Sequence, residues 1–96
     1  MTSAYVIANV RVTDPVQYEE YRKFSSVAMQ AHGAEVCVRG GEVQVMEGDW
    51  QPERLVVLKF PSVEKARGFY DSFEYKRAKQ AREGAAIMRL VIVEGV

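Results

Sequence analysis

The chain has 96 residues, 48% apolar and 27% charged, with 13 Lys+Arg against 13 Asp+Glu. One soluble globular domain over residues 1–96 is expected, and zero net charge gives no electrostatic ground for nucleic acid or an anionic membrane as partner. No apolar run nears the ~18 residues of a membrane span. The start MTSAYVIANVRV lacks a signal-peptide pattern, and the single Cys37 allows no internal disulfide, so a cytoplasmic location is expected.

AYVIANVRV, Ala4 to Val12, is β-branched and alternates, which predicts a strand. One face carries Val6, Ala8, Val10 and Val12; the other carries Tyr5, Ile7, Asn9 and Arg11. A helix follows. Asp14 is its N-cap, Pro15 opens it, and Gln17 is placed to close a capping box. Tyr18, Tyr21, Phe24, Val27, Ala28 and Ala31 recur at helical spacing. Gly33 stops the helix, and His32 lies at its C-terminus, where a cation is favoured.

AEVCV and EVQVMEG flank Arg39-Gly40-Gly41. The preferred reading is one long strand interrupted by a glycine bulge, which would turn Arg39 toward the helices with Glu47 on the same side. The alternative is a tight hairpin at Gly40-Gly41. DWQPE is a turn and RLVVLKF, Arg54 to Phe60, a strand. Ser62 caps a helix carrying Val63, Ala66, Phe69 and Tyr70, which breaks at Asp71-Ser72. Asp71 and Glu74 make a second capping-box pattern that starts FEYKRAKQARE, ended by Gly84. AAIMRLVIVEG, Ala85 to Gly95, is the last strand.

The order β-α-β-β-α-β, with its second helix split, is the ferredoxin-like pattern: an α+β fold with a four-stranded antiparallel sheet. Two helices cover only one face of the sheet, yet both faces of the last strand are apolar. Met88, Leu90 and Ile92 alternate with Ile87, Arg89, Val91 and Val93. Packing sheet against sheet in a two-fold homodimer resolves this. Asn9 and Arg89 are then expected in the shared interior, Arg11 and Lys59 at its rim.

In order and spacing, VTDPVQYEEY, HG, VRGGEVQVMEGDW, RLVVLKFPS, ARGFYDSFEYKRA and REGA resemble the domain-of-unknown-function family 1330 over about Tyr5 to Gly95. That resemblance implies a dimeric α+β barrel built on the ferredoxin-like unit, and it implies no reaction.

One histidine and one cysteine make no metal constellation, and no phosphate loop, nucleophile elbow, flavin or nicotinamide fingerprint is present, so no metal and no cofactor are expected. Cys37 reads as a buried small apolar residue. Trp50 reads as a loop residue at a dimer edge. What remains is a polar cluster. Arg39, Tyr21, Tyr70, Ser72 and Arg82 are the candidate ligand-binding residues, with Arg39 or Arg82 gripping a carboxylate and the helix start at Ser72 favouring an anion. Glu47 and His32 are the weaker catalytic candidates, as acid or base. Two functions follow: a homodimer that binds or converts a small anionic or aromatic molecule without cofactor in a helix–sheet pocket, or a non-catalytic homodimer whose polar cluster only stabilises the fold.

Overall fold

The structure, a computed structural model, describes residues 2–96. The elements in chain order are β1 (Ala4–Val12), α1 (Pro15–Ala31), β2 (Glu35–Arg39), β3 (Leu55–Phe60), α2 (Val63–Tyr70), α3 (Phe73–Ala81) and β4 (Ala86–Glu94). The four strands form one antiparallel sheet in the order β2-β3-β1-β4. This is the expected α+β, ferredoxin-like arrangement, with the second helix split into α2 and α3.

The parity of β1 sets the layers. Val6 pairs with Leu58 and Ile92, and Ala8 with Val56 and Leu90, so these side chains share the face beneath the helices. Ala4, Val6, Ala8 and Val10 are buried there with Leu58 and Phe60. Ala66 on α2 is fully buried, and its small side chain lets α2 lie directly on β1, β3 and β4. Aromatic rings join the layers, with Phe69 stacked 5.2 Å from Phe60 and 4.8 Å from Tyr75. Burying a ring of this size stabilises a fold by roughly 1.5–3 kcal/mol.

α1 behaves differently. Its backbone leans on α3 rather than on the sheet, and its buried face carries the bulky Tyr18, Tyr21 and Met29. Large side chains hold the helix off the strands and leave a cleft between them. The Asp14 carboxylate caps α1 by accepting from the Gln17 N–H at 3.2 Å. The capping box does not close. The Gln17 amide instead donates to the carbonyls of Ala81 and Glu83, at 3.1 and 2.6 Å, tying the start of α1 to the end of α3. The cap of α3 is Ser72, one residue after the expected Asp71; its hydroxyl accepts from the Tyr75 N–H at 3.1 Å.

The glycine pair does not interrupt one long strand, nor does it make a hairpin between two strands. β2 ends at Arg39, and residues 40–54 run as irregular chain. The bulge lies earlier, between Val36 and Val38. Cys37 sits at that irregularity on an edge strand and is exposed, not buried. The expected strand over Glu42–Glu47 does not form, because no neighbouring strand completes its ladder in a single copy of the chain. Gly40 nevertheless needs to be glycine: its φ is +74°, and an added Cβ would fall within 2.7 Å of the Arg54 Cζ.

On the other face of the sheet, Tyr5, Ile7 and Asn9 pair with Val93, Val91 and Arg89. Among the described residues no helix packs on this face, and Ile87, Val91 and Val93 are 57%, 58% and 45% exposed. Among the described residues, no helix is long and apolar enough to cross a membrane.

Candidate functional site

The cleft between α1 and the sheet is built from both layers. Val6, Ala8, Val10, Val56 and Leu58 form an apolar floor; Tyr18, Tyr21, Ser25 and Met29 descend from α1. Atom-free space counted to the open mouth is about 460 Å3, but only about 30 Å3 admits the centre of a water molecule. It is a narrow crevice, so a ligand of several heavy atoms enters only when side chains at the mouth swing aside.

The bulge places Arg39. Glu35 pairs with Lys59 on the outer face, and simple alternation would put Arg39 there too. The extra residue at Cys37 shifts the register, so that Arg39 pairs with Val56 on the helix side. Its guanidinium donates to the Ser26 hydroxyl of α1 at 2.8 Å. The expected turn of Arg39 toward the helices is therefore present, made by a different bulge.

At the end of the cleft next to α3, polar groups are paired. The Tyr21 and Tyr75 hydroxyls share a hydrogen bond of 2.8 Å. Arg82 donates from Nη1 to the Tyr75 hydroxyl at 2.9 Å, and the same nitrogen lies 3.1 Å from the Met88 sulfur. The guanidinium also stands over the Tyr21 and Tyr75 rings, 5.5 and 5.8 Å from their centroids. Burial, reinforced by the Tyr75 phenol, pushes the Tyr21 hydroxyl well above its usual 10.0. For Arg82, burial opposes the charge, but the two phenols outweigh it and the guanidinium holds its proton more tightly than usual.

At the other end, the cations are only partly partnered. Arg22, Arg39 and Arg54 all line the cleft, and no carboxylate does. Arg22 reaches Glu19 at the surface with Nη1, at 3.3 Å. Its Nε is buried without a hydrogen-bond partner, as is the Nε of Arg54. Most buried N–H groups in proteins are paired, so two orphans in one crevice are a specific signal.

The remaining sequence candidates stand elsewhere. Tyr70 does not line the cleft: it packs 5.5 Å from the Tyr75 ring with the Lys79 ammonium 4.2 Å above it, and opens on an outer depression. Ser72 is consumed as a cap, its hydroxyl also donating to the Phe69 carbonyl at 2.7 Å. His32 is 2.9 Å from Glu74 at the far ends of α1 and α3, where its hydrogen bond holds the Glu74 carboxyl below its usual 4.5. Glu47 lies exposed in the 40–54 segment and pairs with neither Arg39 nor Arg82 among the described residues. Neither acid/base candidate reaches the cleft. Among the described residues no group of His, Cys, Asp and Glu comes together as metal ligands. Sequence reasoning missed Arg22 and Arg54. The available signal was the helical spacing of Arg22 with Tyr18, Ser25 and Met29; nothing in the sequence marked Arg54.

A family model described as a domain of unknown function, DUF1330, matches residues 3–96. The chain belongs to this family. No curated protein matches it. Solved structures share the fold. RPA0582, a protein of unknown function from Rhodopseudomonas palustris, superposes with a TM-score of 0.76 at 18% identity, covering 99% of this chain and 83% of its own. SnoaB, a cofactor-independent oxygenase from Streptomyces nogalater, gives 0.65 at 9% identity, with 96% and 91% covered. A dimeric ferredoxin-like protein of unknown function from Thermobifida fusca gives 0.63 at 16%, with 99% and 92% covered. At these identities the likeness is one of fold, and this DUF1330 member takes no activity from it.

Proposed function

We propose that this DUF1330 protein is a homodimer whose protomers each take up a small apolar or aromatic anion, without cofactor, in the crevice between α1 and the sheet. One observation carries the reading: the crevice has an apolar floor, the charged residues that line it are all arginines, and among the described residues Arg39 and Arg54 make no ion pair, while Arg22 reaches only Glu19 at the surface. A purely structural network would pair those cations internally, as the α3 end does. Dimerisation is supported by the uncovered apolar face around Val91 and by the dimeric Thermobifida protein of the same fold. The Streptomyces oxygenase makes direct reaction with dioxygen the turnover to assay.

The test is a thermal-shift screen of small aromatic and aliphatic acids, phenols and their neutral counterparts. Binding to the native state alone raises the melting temperature by mass action, so at least one anion should do so. A panel in which none does contradicts the reading. Light scattering should give a dimer, and Val91→Asp a monomer or a misassembled protein, because that change buries an unpaired charge at the interface.

A further inference from the structure

The two orphan arginine nitrogens specify more than a general preference for anions. Arg54 immediately precedes β3, and its carbonyl accepts from the Val10 N–H at 2.8 Å, so its backbone is fixed beside the cleft floor. Its guanidinium lies against the Gly40 backbone, in space that any Cβ at position 40 would take. Arg22 approaches from α1 on the opposite wall. Each carries a buried Nε–H with no acceptor, and both residues line one crevice whose floor is hydrocarbon.

We infer that Arg22 and Arg54 form a carboxylate clamp, and that the ligand of this cleft is a monocarboxylate with a flat apolar body. A carboxylate presents two oxygens, one for each orphan N–H, and accepts from guanidinium edges in the geometry arginine favours. A phosphate dianion brings more oxygens than the two orphan N–H groups can meet, and the floor offers the surplus nothing but carbon. The apolar body lies over Val10, Val56 and Leu58, pointing toward the Tyr21–Tyr75 pair. Arg39, held by Ser26, supplies long-range attraction at the mouth rather than direct contact. Glycine at position 40 keeps the Arg54 guanidinium in place.

This inference rests on the small-molecule reading above, and its test separates the two. The probes are benzoate, its uncharged isostere benzamide, and inorganic phosphate. They are titrated into the intact protein with arginine Nε–H resonances and melting temperature as readouts. Benzoate should move the Nε–H signals of Arg22 and Arg54 and raise the melting temperature, and benzamide should bind about tenfold or more weakly, the difference expected when charge-assisted hydrogen bonds are lost. Arg54→Met and Arg22→Met should each erase the preference for benzoate; the second variant decides the matter if the first fails to fold. Equal binding of benzoate and benzamide, unchanged in both variants, overturns the clamp and leaves the small-molecule reading standing. Phosphate that displaces benzoate at equal concentration overturns the assignment to a carboxylate. No binding by any probe, with no shift of either Nε–H, overturns the clamp; the broader screen then decides the parent reading.

Discussion

Arg82 at the α3 end of the cleft and Arg54 at the β2–β3 end are both half-buried guanidiniums against an apolar sheet, yet their surroundings differ. Arg82 donates to Tyr75 and lies across two phenol rings. Arg54 lies on bare glycine backbone, and its Nε has no acceptor. The contrast teaches how to separate structural cations from functional ones in a protein with no known reaction. A buried cation whose donors are all met belongs to the fold. One whose donors are left open, next to a cavity, costs the fold stability, and that cost is retained where a ligand offsets it.

Breaking the paired end should have the largest effect. Tyr75 is its hub, so Tyr75→Phe strips the phenolic acceptor from Arg82 and the partner from Tyr21. Chemical denaturation should show a loss of about 2–3 kcal/mol, the scale of buried donors left unmet. A loss within experimental error would mean that the network is ornamental and that both ends are alike.

A smaller effect sharpens the comparison from the open end. Gly40→Ala forces a left-handed backbone on a residue with a side chain, at about 1–2 kcal/mol, and drives the Arg54 guanidinium from its seat. Gly41→Ala is the control: its Cβ meets nothing, and it lacks a positive φ, so its stability should barely change. Equal losses at the two positions would show that the approach of Arg54 to Gly40 is irrelevant.

Alkali offers the smallest test. The raised proton affinity of Tyr21 means the folded state keeps a phenol neutral that the unfolded chain ionises near 10.0. Its contribution to stability is complete below that pH and is lost as pH rises further. Above pH 10 the wild-type protein should therefore lose about 1.4 kcal/mol per pH unit more than Tyr21→Phe, the slope for one proton. Parallel pH profiles would show that Tyr21 is not sequestered.

Much of the scaffold was legible because it rests on local periodicity. The alternation of Ala4 to Val12 predicts which side chains of β1 are buried, and Ser62 caps α2 as its position predicts, while the cap of α3 falls one residue past Asp71. The resemblance to family 1330 was legible in the same way, from short motifs in order. The bulge was misplaced because glycine is the usual sign of one, and the real bulge falls in Val36-Cys37-Val38, which looks like plain strand. Glu42 to Glu47 reads as a strand by pattern, but a strand exists only where a neighbour supplies hydrogen bonds. Tyr21 and Arg39 line the cleft, whereas Tyr70 and Ser72 are turned to other tasks by α2 and α3. The orphan nitrogens of Arg22 and Arg54 could not be read at all, since burial of one atom depends on how α1 stands against the sheet.

The central claim is that one end of the cleft is built for the fold and the other for a ligand. Urea denaturation of Arg82→Met and Arg54→Met, side by side in ligand-free buffer, tests it most directly. Methionine keeps most of the apolar stem and removes the donors. Arg82→Met should lose about 1–3 kcal/mol, because charge-assisted hydrogen bonds to a buried phenol are lost, while Arg54→Met should keep or gain stability as an unmet buried donor disappears. A loss in Arg54→Met as large as that in Arg82→Met would contradict the account.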